Sequence, residues 1–336
     1  MNSEPQFKIV WVESGRPIPH YAINNFKLNH LMHNKIEQYL VTEQDVELEF
    51  VNRIDLKIVP SSEKSDRFLE FQKEWPHKQE YFWLGTTKRF FHLYDVMSYY
   101  NLTNILHLET DCILLEPDAI SKFFTIKEDV QMTYPLQATG IGCASILLVK
   151  SKDILGQFLD LILEKWQLPN VDDMTLLGDF ALKCDLQTLP TWLTNTYDDY
   201  IYDAQSIGKY FHGTDARNCR IPFSNRGIQD DREGSIFPHL NKESVKWRCK
   251  MTGDRISIHV ESATQLKKLV NLHLHSKHIF KSRFIMLLLL KLGFGPRIPI
   301  IWKLGLFDRF VFKERSLSFI NRRILGKRDF NEKNLR

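Results

Sequence analysis

Ile105-Leu106-His107-Leu108-Glu109-Thr110-Asp111-Cys112-Ile113-Leu114 is an apolar run broken by two carboxylates one residue apart. Its length and composition predict a buried strand. Charges buried in such a strand are costly unless they are paired or hold a metal. On a strand, Glu109 and Asp111 stand at i and i+2 and point to one face. So placed, they can grip a hard divalent cation, which in turn can grip a diphosphate. The alternative is a strand that ends at Glu109 and leaves Thr110-Asp111 in a solvated turn.

The segments on either side set the fold class. Phe7 to Val12 reads as a first buried strand, followed by a turn at Ser14-Gly15-Arg16-Pro17. Tyr21 to Leu40 carries apolar residues at helical spacing, among them Ile23, Phe26, Leu28 and Leu31. Val46, Leu48 and Phe50 alternate with Glu47 and Glu49, the pattern of a half-buried strand, and Ile54 to Val59 offers another. Arg89 to Tyr100 places Phe90, Leu93, Tyr94 and Met97 on one helical face. After the acidic strand come a strand at Ala144 to Val149 and an amphipathic helix at Ile154 to Trp166. Strands alternating with helices predict an α/β fold whose mainly parallel sheet is flanked by helices. In such sheets ligands sit at the carboxyl ends of the strands, which is where the acidic pair falls. Leu168 to Arg255 is rich in Asp, Asn, Gly and aromatic residues and reads as long loops around a cleft. Ser257 to His275 returns to mixed strand and helix character.

Composition narrows the class. With 336 residues and 43% hydrophobic content the chain can bury a full core. Its five cysteines, Cys112, Cys143, Cys184, Cys219 and Cys249, are well separated and lack a CxxC pair. That counts against a disulfide framework or a structural zinc site and suits a reducing, cytoplasmic setting. Met1 to Gln6 is polar and shows no secretory signal, and the longest apolar run, Phe284 to Leu290, is too short for a bilayer crossing. The net charge is +4, but residues 277–336 hold 15 Lys/Arg against 4 Asp/Glu, so the preceding body is acidic. The expected division is a catalytic domain over residues 1–280 and a basic, amphipathic helical extension over residues 281–336.

Three clusters have the residue types for chemistry. In Leu272-His273-Leu274-His275-Ser276-Lys277, a neutral imidazole of His273 or His275 can fill an open position on an ion held by Glu109 and Asp111. Lys277 would then face phosphate as a point charge. The two histidines can equally be ordinary strand residues on one side. Asp172-Asp173-Met174-Thr175-Leu176-Leu177 reads as a helix start. A plain N-cap explains it; the functional reading places Asp173 in the cleft, with Asp179 one turn on as a second candidate. Tyr202 to Asn218 packs polar, aromatic and glycine residues, Asp203 among them, as a sugar-binding loop or a simple surface turn would. GxxxxGK[ST], GxGxxG and GxSxG are all absent, which disfavours P-loop NTPases, dinucleotide dehydrogenases and α/β-hydrolases. The acidic body and the lack of a nucleic-acid module argue against nucleic acid as a partner.

Taken in order, these segments resemble the GT-A glycosyltransferases, which move a sugar from a nucleotide-diphosphate donor. Glu109-Thr110-Asp111 is similar to their acidic triplet, which binds Mn²⁺ or Mg²⁺ on the donor diphosphate, with Glu in the first place instead of Asp. Thr86-Thr87-Lys88-Arg89-Phe90-Phe91 resembles the donor-touching helix, which implies a donor contact for Arg89. Cys143 to Val149 is similar to the segment where a small residue, here Ser145, borders the donor sugar. Asp172 to Leu177 resembles a segment of the glycogenin-like and lipopolysaccharide galactosyltransferase families, although Met174 replaces their Gln. The late His-x-His-Ser-Lys is similar to their third metal ligand and following lysine. Closer still is a bacterial-type set of GT-A-like proteins with three motifs, present here at Asn104 to Asp111, Asp203 to Asn218 and Asn271 to Lys277.

The resemblance covers residues 7–280 and implies a UDP or GDP sugar donor, a hexosyl group transferred, and a glycan, glycolipid or lipid-linked acceptor. It also implies Asp173 or Asp203 as the carboxylate opposite the developing sugar cation. Apolar islands among Lys and Arg in the tail suit peripheral contact with the inner face of a membrane, or a helical layer packed on the body. Two rivals stand beside this reading. A nucleotidyltransferase would show a glycine-rich loop after strand one, where only Gly15-Arg16-Pro17 is found. A non-catalytic nucleotide-sugar or glycan-binding protein would keep the fold and lose transfer.

Overall fold

The computed structural model describes residues 7–73, 80–126, 129–166, 171–192, 199–212, 232–236, 246–252, 255–261 and 265–273. His275, Lys277 and the extension from residue 281 lie outside them. The chain runs β1 (Lys8–Val12), α1 (His20–Met32), β2 (Gln38–Thr42), β3 (Asn52–Asp55), α2 (Glu63–Lys73), α3 (Glu80–Tyr99), β4 (Ile105–Leu108), β5 (Cys112–Leu114) and α4 (Pro117–Ile126). It continues with β6 (Met132–Thr133), β7 (Leu136–Ala138), β8 (Ile141–Gly142), β9 (Ile146–Val149), α5 (Lys152–Lys165) and α6 (Asp173–Lys183). The last described elements are β10 (Tyr200–Ile201), α7 (Ser206–His212), β11 (Lys246–Thr252), β12 (Arg255–Glu261), β13 (Leu266–Leu269) and β14 (Asn271–His273).

Six strands form the main sheet in the order β3-β2-β1-β4-β9-β6. The first four are mutually parallel; β9 runs antiparallel to β4, and β6, antiparallel to β9, runs the same way as the first four. The expected α/β class with a mainly parallel sheet is therefore present. Its central strands are apolar on both faces because both faces are covered. Val10 and Val12 point toward Phe90, Leu93, Phe158 and Phe180 of the α3, α5 and α6 layer. Ile9 and Trp11 point the other way, toward Phe26 of α1 and Ile120 and Phe124 of α4. Ring contacts key the first layer: Phe90 meets Phe158 edge-on at 5.2 Å, and Phe68 stacks on Phe91 at 4.3 Å.

A second sheet, β10-β13-β12-β11, packs its apolar side (Ile201, Trp247, Ile256, Ile258, Val260, Leu269) against Ile113, Ile207 and Leu272. The two-stranded ribbon β5-β14 carries Ile113 and Leu272 and so joins this second core to the strand that follows the acidic turn.

Four sequence expectations change. The helix expected to reach Leu40 stops at Met32, and Gln38–Thr42 becomes β2. There Leu40 and Val41 bury on opposite faces of the sheet, which a strand allows and a helix does not. Val46 to Val51 is not a strand. Val46, Leu48 and Phe50 lean on the second apolar cluster from irregular backbone, so their alternation serves packing without a ladder. The run Ile105 to Leu114 is two strands, β4 and β5, with Glu109-Thr110-Asp111 as the turn between. Part of the region read as long loops is the regular helix α6, started by Asp172, whose side chain accepts from Thr175 N–H at 2.7 Å. Cys112, Cys143 and Cys184 are free thiols. No helix among the described residues is long and apolar enough to cross a membrane.

Helix α6 lies so close to β8 that a Cβ on Gly178 would sit 1.8 Å from the Gly140 carbonyl oxygen. Backbone cannot yield as a side-chain tip does, so Gly178→Ala must separate α6 from the sheet. We expect it to cost about 1–3 kcal/mol, read as a lower urea midpoint. An unchanged midpoint would contradict this packing.

Candidate metal centre

The turn that replaces the expected strand face is built by backbone bonds and held by a helix. Glu109 N–H donates to the Ser145 carbonyl at 3.2 Å, and Cys112 N–H donates to the Glu109 carbonyl at 2.9 Å. On the other side α1 presents Asn25, Asn29 and His33, spaced i, i+4, i+8 and all buried. Asn25 Nδ2 donates to the carbonyls of Thr110 (3.1 Å) and Cys112 (2.7 Å), straddling Asp111. Asn29 Oδ1 accepts from Leu114 N–H at 2.9 Å, and the His33 ring lies 2.9 Å from the Leu114 carbonyl. These side chains bond to one edge of β5 where a neighbouring strand would otherwise do so. The opposite edge pairs with β14, which sets His273 in register with Cys112.

Three side chains then converge. His273 Nε2 lies 3.1 Å from both Glu109 Oε2 and Asp111 Oδ1. The ligand atoms of Glu109, Asp111 and His273 all fall within 4.8 Å of one another, a group that could hold a metal ion. Arg89, from α3, donates to Glu109 through Nη1 and to Asp173 Oδ2 through Nη2 at 2.8 Å, so it joins the turn to the start of α6.

Asp203 lies beneath the centre. Its Oδ1 accepts from Ile207 N–H (3.0 Å), and its Oδ2 accepts from Gly208 N–H (2.9 Å) and His273 N–H (2.9 Å). Ser145 Oγ donates to the Asp203 carbonyl at 2.9 Å. Asn271 accepts from Asp203 N–H at 3.0 Å and donates to its carbonyl at 3.1 Å. A Cβ on Gly208 would stand 1.7 Å from the His273 carbonyl oxygen, so glycine is what lets α7 approach this close.

The carboxylates of Glu109, Asp111, Asp173 and Asp203 share this region with the Arg89 guanidinium and the His273 imidazole. Burial pushes Glu109 up, but Arg89 and then His273 outweigh it and hold the carboxyl below its usual range. For Asp173 burial wins over Arg89 and raises the carboxyl to about 6. Asp203 also rises to about 6, burial outweighing His273 and the three backbone donors. Burial pushes His273 down, yet Asp111 and Glu109 overcome it and hold the imidazole well above its ordinary value. Excess buried negative charge next to oxygen and nitrogen donors within bonding reach of a common point is what a divalent cation neutralises.

The sequence-predicted residues sort as follows. Glu109, Asp111, His273, Arg89 and Asp173 come together. Ser145 is adjacent and fully buried, acting through Asp203 and the Glu109 backbone. Asp203, expected as a cleft carboxylate, has its oxygens engaged by backbone N–H groups and secures α7 and His273. Asp179 is away from the cluster: it faces α5, where Lys165 Nζ lies 2.7 Å from it. Asn25, Asn29 and His33 were not singled out by sequence; their signal is a polar stripe at helical spacing within an otherwise buried helix face. Asn271 opened the Asn271 to Lys277 motif, but its role against Asp203 was not read from it.

No family model matches the chain, and no curated protein matches it. Solved structures similar to it include the PaToxG glycosyltransferase, at 12% identity over 52% of this chain and 68% of that one, with TM-score 0.37. The apo-form glycosyltransferase GlyE of Streptococcus pneumoniae TIGR4 is 18% identical over 54% of this chain, with TM-score 0.35. This chain spans 44% of GlyE's length. A cytidylyltransferase from Leptospira borgpetersenii is 10% identical over 61% of this chain and 84% of that one, with TM-score 0.32. Likeness of this extent leaves the function to be read from the chain's own site. What the fold and site define is an α/β protein with a buried carboxylate–imidazole–guanidinium cluster at the carboxyl end of a parallel strand.

Replacing Asn25 with Ala leaves the Thr110 and Cys112 carbonyls without this buried donor. The expected loss is about 1–3 kcal/mol of unfolding free energy, together with weaker retention of any ion bound at Asp111. A variant as stable as the wild type would show that α1 does not brace the turn.

Proposed function

We propose that this chain is a metal-dependent glycosyltransferase of the GT-A type. It moves a hexosyl group from a UDP- or GDP-linked donor to a glycan, glycolipid or lipid-linked acceptor. The observation that carries the reading is the convergence of Glu109, Asp111 and His273 at the end of β4, with Arg89 and Asp173 alongside. The cation is Mn²⁺ or Mg²⁺, and the mixed carboxylate and imidazole donors lean toward Mn²⁺. The setting is cytoplasmic, with peripheral contact at the membrane's inner face.

Cleavage of the sugar–phosphate bond leaves extra negative charge on the departing diphosphate. A divalent cation held by Glu109, Asp111 and His273 supplies the compensating positive charge when bound. Arg89 keeps the Glu109 and Asp173 carboxylates in fixed positions through its two nitrogen atoms. Asp173 is the carboxylate assigned to a donor-sugar hydroxyl and to the developing sugar cation. Asp203 keeps His273 aimed at the turn by holding its backbone N–H. His275 and Lys277, beyond the described residues, are assigned to the same ion and to the phosphates respectively.

The test is release of nucleoside diphosphate from a panel of UDP- and GDP-sugars with Mn²⁺. Turnover should disappear with a chelator, and Asp111→Asn and His273→Ala should each lower kcat by about 100-fold or more. Donor binding without metal dependence or turnover would instead favour the non-catalytic binding protein.

Metal affinity should also depend on pH with a defined sign. Without metal, His273 holds its proton between Glu109 and Asp111, and its raised pKa keeps it charged at neutral pH. An ion must displace that proton, so the apparent Kd should fall as pH rises toward the raised His273 pKa, by up to about tenfold per unit, and level off above it. A flat profile in calorimetric titrations would remove His273 from the ligand set.

A further inference from the structure

We propose that the outward face of the second sheet is a docking surface for anionic lipid. Register places Arg248 opposite His259, and His259 opposite Lys268, so three basic side chains stand in line across β11, β12 and β13. Lys250 lies opposite Ser257 in the next row of that face, and Arg255 ends it. Beyond β13, Tyr200 is in register with Lys268, and Lys122 of α4 lies over its ring at 5.3 Å.

Carboxylates answer only part of this charge: Glu261 lies 2.6 Å from Arg248, and Glu116 lies 3.6 Å from Lys268. Lys250 and Arg255 are exposed and have no carboxylate within ion-pair distance among the described residues. Burial, then Lys268, Lys250 and Arg248, push the His259 pKa down, as expected on a face of accumulated positive charge. The fold does not need these groups, because the sheet is anchored by Ile256, Ile258, Val260 and Leu269 on its other side.

The shape and the sequence select the partner. Side chains standing off a sheet make a plane of charge, suited to a surface rather than to a small anion. Five residues after Lys268 the chain leaves His273, and residues 277–336 bring 15 Lys/Arg against 4 Asp/Glu with apolar runs such as Phe284 to Leu290. Two weak signals of one sign, one on the sheet and one in the tail, combine into stable attachment to an anionic bilayer. This deepens the peripheral membrane contact of the proposed function by assigning it a surface, and that attachment requires no turnover.

The experiment is sedimentation of the full chain with phosphatidylcholine vesicles, alone and containing phosphatidylglycerol, at low and high salt. The wild type should bind only the anionic vesicles and release at high salt. Lys250→Glu with Arg255→Glu should weaken binding about tenfold or more, with the urea midpoint and Mn²⁺ binding unchanged. If that variant fails to fold, Lys250→Gln with Arg255→Gln should shift binding in the same direction. Wild-type affinity in the folded variants would assign attachment to the tail alone and overturn the proposal. Absence of vesicle binding by the wild type would also overturn it, as would RNA binding in place of vesicles with the same loss in the variants. Vesicle binding by a protein that shows no metal-dependent donor turnover would leave this face standing and remove the transferase reading.

Discussion

Four carboxylates cannot share one buried region without an answer to their repulsion, and the placement of Arg89 is the first part of that answer. Its guanidinium spans Glu109 on the turn and Asp173 at the start of α6. Burying a guanidinium is itself costly, and here two carboxylates outweigh that cost and keep it firmly charged. His273 supplies the second part, 3.1 Å from both Glu109 and Asp111. What stays uncompensated is negative charge, and the proposed cation completes the set.

The main sheet and the β5-β14 ribbon meet at this cluster. The main sheet ends β4 at Leu108 and delivers the acidic turn at its carboxyl edge, while β14 brings His273 to the same place from the far end of the described chain. Neither would stay there unaided. The α1 stripe bonds to the free edge of β5, and Asp203 ties α7, β14 and the Ser145 hydroxyl into one block. Buried polar groups bonded to this many partners fix geometry, because any shift leaves donors or acceptors unpaired. In the proposed function, that rigidity keeps the ligands spaced for an ion.

Much of this was legible in the sequence, for identifiable reasons. β1, β4 and β9 are central strands buried on both faces, so their apolar runs left few alternatives. The helices α3 and α5 each bury one face and carry a clear helical period, whereas α6 was legible only as a helix start at Asp172. The acidic pair and His273 stood out because charge and imidazole interrupted apolar surroundings. The sequence left open whether the strand runs through Glu109 or breaks there into a turn, since a strand, a turn and a second strand read alike in hydropathy; that the turn is buried and followed by a second strand was not legible. Its partner edges, β14 and the α1 stripe, lie far away along the chain. Val46 to Phe50 has a strand's alternation, but among the described residues no strand pairs with it. Asp203 and Asp179 were indistinguishable by residue type. Only the fold tells a carboxylate whose oxygens cap α7 and hold β14 from one that faces Lys165 on α5.

The central claim is that Glu109, Asp111 and His273 form one metal site that reads a nucleotide diphosphate. Electron paramagnetic resonance of Mn²⁺ titrated into the full chain addresses it most directly, with and without UDP or GDP. The account predicts a single tight site per chain, strengthened by nucleotide and lost in a folded Asp111→Asn variant. Mn²⁺ binding that survives replacement of both Asp111 and His273, or no binding by the wild type, would contradict it.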